Sequence, residues 1–228
     1  MTNPYFNQDT FTFLKNLAAN NNREWFQENK QAYEERVRTP ALAFIDDMAY
    51  DLAMISPHFL ALPKKVGGSL MRVHRDTRFG KDKRPYKTNI GIQFRHEMGK
   101  DVHAPGYYVH IEPGSCFLGV GIWRPDSLSL SKIRQAIDEQ GETWLAICNN
   151  KTFQKHYKLE GESLTNPPRG YPKEHPLIED LKRKDFIGIY PLSEKNVQSK
   201  TFRQRVSKNF ESANAYMAFL CKALELRF

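Results

Sequence analysis

After Gly67-Gly68 the hydrophobic period of the chain changes from about 3.6 residues to 2, and this switch limits the possible folds more than any other feature. Before it the pattern is helical. Asn7 stands where a cap belongs for a helix carrying Phe11, Leu14 and Leu17, which ends at Asn20-Asn21-Asn22. Asn22 caps a second helix with Trp25, Phe26, Tyr33 and Val37 on its inner face. Thr39-Pro40 reads as a restart, a capping hydroxyl followed by proline at the first helical position. The third helix carries Leu42, Ile45, Met48, Leu52 and Ile55, and Ser56-Pro57 stops it. After the switch Met71 and Val73 alternate with Arg72 and His74. Ile90, Ile92 and Phe94 alternate with Gly91, Gln93 and Arg95, and Tyr107, Val109 and Ile111 with Tyr108 and His110. These segments, with an apolar stretch from Cys116 to Trp123 suited to a covered central strand, predict an antiparallel meander of about four strands.

Helices are expected to resume at 127–140 and 142–149, with a short one near 176–183 and a strand at 186–190. At the C-terminus Phe202, Val206, Phe210, Ala213, Met217, Leu220 and Leu224 fall on one helical face. That stripe predicts an amphipathic helix roughly 40 Å long at about 1.5 Å per residue. Its expected use is packing across the chain's own sheet rather than a coiled coil with a partner. With no internal repeat, low-complexity tract or Ser/Gly linker, residues 1–228 read as a single domain. The fold class is α+β, a mostly antiparallel sheet packed with N-terminal helices and a long C-terminal amphipathic helix.

Composition sets the class. Surface scaling lets a chain of 228 residues bury about 70% of its surface, enough for a core without staples. No apolar run approaches the roughly 20 residues a membrane helix requires, and MTNPYFNQDT has no charged segment leading into an apolar one. Cys116, Cys148 and Cys221 are odd in number and scattered, fitting reduced thiols rather than a disulfide framework or a metal clamp. The expectation is a soluble cytoplasmic protein with no membrane partner.

Charge singles out one segment. The chain carries a net +8, and residues 72–87, RVHRDTRFGKDKRPYK, hold seven Lys or Arg against two Asp, a net +5. A surplus of this kind favours anionic partners. The segment connects two expected strands through about a dozen residues where a plain hairpin uses about 2–5, and long loops on rigid supports commonly carry sites. Arg offers phosphate or carboxylate a planar fork and Lys a point charge. Arg72, Arg75, Arg78, Lys83, Tyr86 and Lys87 are therefore the candidate ligand-binding residues, with the three arginines expected to converge on one pocket. Asp76 and Asp82 are candidates for orienting the arginines, binding a metal or acting as general base. The same residues also suit a purely structural role, in which Arg–Asp pairs pin the loop and Phe79 and Pro85 anchor it.

The pattern Arg72-x-x-Arg75-Asp76-x-Arg78-Phe79, then Asp82-Lys83-x-x-Tyr86, resembles the signature of an uncharacterised, mainly bacterial domain-of-unknown-function family, fused to other domains in some fungal proteins. The Asn-rich turn into Trp25-Phe26 with Lys30 and Tyr33 is similar to that family's N-terminal block. Gly106-Tyr107-Tyr108 and the 119–125 segment are similar to its middle. The resemblance implies a family identity and draws attention to these residues. It implies no activity, so no catalytic role is carried over.

Other constellations are sparse. Residues 119–124, GVGIWR, lack the third glycine of a dinucleotide loop and suit close strand packing. There is no P-loop, GxSxG, HExxH or EF-hand pattern. His74 and His110, on outward faces of the meander, could join a carboxylate on a divalent metal, although no metal-ligand spacing supports it. Whether the chain uses a cofactor and whether it is an enzyme both stay open. Lys182-Arg183-Lys184 and Lys200, Arg203, Arg205 and Lys208 would widen the basic surface enough for nucleic acid if they shared a face with the loop. The readings are thus a phosphate-bearing or other anionic small molecule, a nucleic acid, or a partner-binding protein in which the loop is only structural.

Overall fold

The alternating segments form the sheet. The computed structural model describes residues 5–78, 82–99 and 104–228. Among these the strands are β1 (Phe59–Leu60), β2 (Ile90–His96), β3 (Gly106–Ile111), β4 (Cys116–Ile122), β5 (Lys158–Glu160) and β6 (Phe186–Leu192). They make one six-stranded sheet in the order β1-β2-β3-β4-β6-β5, antiparallel at every pairing. Registers such as Ile92 opposite Val109 and Val109 opposite Leu118 place the apolar alternation of β2, β3 and β4 on one face. Phe94, Tyr107, Val109, Leu118 and Ile122 are fully buried there.

The helices cover that face. α1 (Gln8–Ala19) starts at Asn7 with a reciprocal capping box, and α2 (Arg23–Glu28) starts at Asn22, whose side chain accepts from the Trp25 N–H at 2.9 Å. α3 (Lys30–Tyr33) leads through a π-helical turn (Glu34–Arg38) into α4 (Thr39–Ile55). The expected restart at Thr39 does not occur, since Arg38 and Thr39 both have helical backbone angles. Pro40 has no N–H to offer the Arg36 carbonyl one turn back. The buried Thr10 hydroxyl donates to that carbonyl at 2.9 Å instead, and the Thr39 N–H reaches back five residues to Glu34. The proline is thus absorbed inside a continuing helix. α5 (Ser127–Glu139) is capped by Asp126, followed by α6 (Gly141–Cys148) and α7 (Lys151–His156), with α8 (Ile178–Leu181) and α9 (Glu194–Val197) further on.

The C-terminal stripe is buried from Phe202 to Leu220, but two helices carry it, α10 (Phe202–Glu211) and α11 (Asn214–Ala223). Side-chain hydrogen bonds compete with the backbone at the break. The Ser212 hydroxyl and the Tyr157 hydroxyl both donate to the Asn209 carbonyl, at 2.6 and 2.9 Å, while Asn209 Nδ2 donates to Arg205. α10 packs on α4, and α11 on β4, α5 and α6. Among the described residues no helix is long and apolar enough to cross a membrane.

Candidate functional site

The basic segment is a braced loop. Met71–His74 does not form a regular strand. Leu70 bridges Ile92 on β2, and the chain then turns away so that His74 bridges Tyr86. Two backbone hydrogen bonds close this pairing, Arg75 N–H to Pro85 C=O at 2.9 Å and Lys87 N–H to Val73 C=O at 2.8 Å. Pro85 has no N–H to return the bond to Arg75, so the ladder stops after one bridge. Asn21 supplies a further brace, its carboxamide donating to the Tyr86 C=O and accepting from the Tyr86 N–H, both at 3.0 Å. The Tyr86 ring is buried and stacks on Phe26 at 4.0 Å between centroids.

Within the loop the carboxylates hold arginines in two copies of one local arrangement. Asp76 accepts from the Arg78 N–H at 3.1 Å and from its guanidinium at 3.0 and 2.8 Å. Asp82 accepts likewise from the Arg84 N–H at 3.0 Å and from its guanidinium at 3.0 and 2.7 Å, and takes Arg75 Nη1 at 2.6 Å. The Arg78 side chain beside Asp76 and the Arg84 side chain beside Asp82 hold both carboxyls well below the usual carboxylate range. Both carboxylates are thus engaged with arginines of the same loop.

The expected convergence of Arg72, Arg75 and Arg78 is not what the loop adopts. Arg78 is turned to Asp76 and is mostly exposed, and Arg72 is exposed as well. What converges is Arg75 with Lys83 and Tyr86, lining an open cleft of about 580 Å³. Asn21, Asn22, Arg23 and Gln27, at the turn into α2, line the same cleft. Lys83 Nζ donates to the Thr77 carbonyl at 2.9 Å, which sets its height over the cleft. Arg75 Nε is buried without a hydrogen-bond partner among the described residues. Arg23, Arg75 and Lys83 thus share a cleft whose described lining includes no carboxylate. Arg23 was not among the sequence candidates; its only signal was its place after the Asn-rich turn. Phe79 and Lys81 lie outside the described residues.

Lys87 faces elsewhere, lining a groove of about 460 Å³ on the sheet face away from the helices. His110 lines the same groove. Its Nδ1 meets the Tyr108 hydroxyl at 3.1 Å and its Nε2 meets Glu112 at 3.2 Å, while its ring stacks on Phe117 at 4.6 Å. His74 instead lines the cleft, so the two histidines are not brought together. No group of three His, Cys, Asp or Glu side chains suited to a metal occurs among the described residues. Burial pushes the Cys148 and Cys221 thiols up to about 12, away from nucleophilic reactivity.

Four of the other basic residues are engaged in local contacts. Lys182 meets Glu179 at 3.0 Å, Arg183 meets Asp180 at 3.2 Å, and Lys184 meets Glu162 at 2.9 Å. Arg203 donates to the Asp47 carbonyl at 3.0 Å and lies 3.6 Å from Asp51. None of these four residues lines the cleft.

The chain belongs to the family described as conserved hypothetical protein (DUF2461), whose family model matches residues 9–219. No curated protein and no solved structure matches the chain.

Proposed function

We propose that the cleft between the Asn21–Arg23 turn and the basic loop binds a small phosphate-bearing or otherwise anionic molecule. The observation that carries this reading is that Arg23, Arg75 and Lys83 line one cleft whose described lining includes no carboxylate. Arg75 is fixed through Asp82 and Lys83 through the Thr77 carbonyl, so little side-chain freedom is lost when an anion arrives. Arg23 adds a second guanidinium fork, and Asn22 and Gln27 add amide groups. Arg72, Arg78 and Lys87, outside this lining, contribute to the field rather than to contacts. The pairing of Lys182, Arg183 and Lys184 with carboxylates favours a compact anion over a nucleic-acid backbone.

Inorganic pyrophosphate tests this directly. A ligand that binds the folded state raises the melting temperature by mass action, by about 2.7 kcal/mol of apparent stability at 100 times Kd. The rise is expected in the wild type and is expected to shrink in Arg23→Ala, whose side chain reaches the cleft without holding the loop. An equal rise in both proteins, or none in the wild type, contradicts the proposal.

A further inference from the structure

The face of the sheet opposite the helices is apolar where solvent should have selected polar residues. In an antiparallel sheet with one covered face, the other face ordinarily alternates to polar side chains. Here the outward positions of β3, β4 and β6 include Tyr108, Phe117, Gly119, Ile187 and Ile189, and these form the floor of the 460 Å³ groove. That volume falls within the roughly 300–1,000 Å³ of small-molecule sites. Trp123 stands on the rim, 49% exposed, with the Arg124 guanidinium 4.8 Å over its ring. Arg124 itself adopts a left-handed φ of 49°, held by its N–H donating to buried Asp185 at 2.8 Å, so the rim is built with backbone strain that a plain surface would not require.

Polarity in the groove is confined to one side. From the β6 isoleucines to the β2 side, three strand spacings of about 4.8 Å span roughly 14 Å. At the β2 side stand Gln93, His110 and Lys87. Lys87 is half-buried and makes no side-chain hydrogen bond or ion pair among the described residues, and Arg72 and Arg75 lie near enough to add like charge. An enclosed ammonium among cations, at the end of an apolar trough, is an unfavourable arrangement until an anion joins it.

We infer that this groove is a second binding site, for a molecule with an extended apolar body lying on Tyr108, Phe117, Ile187 and Ile189 and an acidic head at Lys87. The floor supplies the means to test it. Gly119 has no positive φ, and a Cβ built there meets its nearest neighbour, Tyr108 Cβ, at 3.5 Å, an ordinary contact. Gly119→Leu therefore fills the trough without disturbing the strand, unlike Gly121, whose added Cβ would lie 2.0 Å from the Phe186 carbonyl oxygen.

The experiment is calorimetric titration of the full chain with dodecanoate below its micellar concentration, alongside dodecan-1-ol, which has the same body and no charge. Wild type is expected to bind dodecanoate. Gly119→Leu is expected to weaken it by tenfold or more while keeping the wild-type melting temperature within a few degrees. Lys87→Met, which keeps the stem and removes the charge, is expected to lose about tenfold for dodecanoate and nothing for dodecan-1-ol, a charge-assisted contact being worth about that much. Arg23→Ala, which weakens pyrophosphate in the cleft, is expected to bind dodecanoate as wild type does, so the two sites fail separately. No binding by wild type, unchanged binding by folded Gly119→Leu, or equal affinity of wild type for the acid and the alcohol would overturn the inference.

Discussion

Asn21 does for Tyr86 what a neighbouring strand would do: its carboxamide exchanges two hydrogen bonds of 3.0 Å with the Tyr86 backbone across a separation of 65 residues. One side chain from the turn between α1 and α2 thereby fixes the base of the basic loop and, with it, the cleft. The Phe26–Tyr86 stack lies directly beneath. The cations are placed by this brace, and their own ion pairs adjust them within it.

Asn21→Ala is expected to leave both backbone groups of Tyr86 without these partners. Leaving part-buried groups unsatisfied costs about 1–3 kcal/mol. Urea denaturation should show a loss in that range, and hydrogen exchange should show faster exchange at the Tyr86 and Lys87 amides. Unchanged exchange there would mean that the His74–Tyr86 bridge alone holds the loop.

Asp82→Asn tests the division between orienting and binding. Asp82 sits behind Arg75 and Arg84 and is absent from the cleft lining. Asn keeps an oxygen that can accept from Arg75 and so hold it, while the competing negative charge is gone, so pyrophosphate is expected to bind about threefold more tightly, the size of one charge–charge term near 7 Å in a water-like medium. Affinity lost by tenfold or more would instead mean that Arg75 is useless unless Asp82 aims it.

The pH dependence of stability is expected to involve His110. Burial holds its imidazole below the ordinary value near 6.5, with the hydrogen bond and charge of Glu112 offsetting part of that effect; Tyr108, Asn89 and Phe117 are its other neighbours. A folded-state value below the unfolded one means that the neutral form stabilises the fold, fully so above about 6.5, and that this contribution is lost as pH falls through the folded value. Denaturation midpoints of wild type should therefore drop more steeply between pH 7.5 and 5.5 than those of His110→Gln. Parallel slopes would show that His110 titrates alike in both states.

Periodicity made most of the fold legible. Phe11, Leu14 and Leu17, the meander of β2 to β4, and the stripe from Phe202 to Leu220 all bury the faces their spacing implied. The two helical departures come from long-range or competing hydrogen bonds that spacing does not encode: Thr10 takes the Arg36 carbonyl, which Pro40 cannot, from 26 residues away, and Ser212 and Tyr157 take the Asn209 carbonyl. At the site, charge density located the loop but could not say which cations face inward. Two Asp-x-Arg repeats turn Arg78 and Arg84 outward through contacts two residues apart, leaving Arg75 and Lys83 to meet Arg23, which only the tertiary fold brings near. The groove was hidden because its lining comes from four strands, and the glycine that opens its floor, Gly119, reads in sequence as a packing residue.

An anion seated in the cleft leaves a signature that can be read in solution. A titration of the isotopically labelled protein with inorganic pyrophosphate, followed through backbone amide and arginine side-chain resonances, reports the location residue by residue. Saturable shifts are expected at Asn22, Arg23, Thr77 and Lys83 and at the Arg75 Nε–H, weakening steeply with added salt as a charge-driven contact must, with little change at Gly119 or Ile189. Shifts centred on Arg78 and Arg84, or spread evenly over the basic surface without saturation, would contradict this placement.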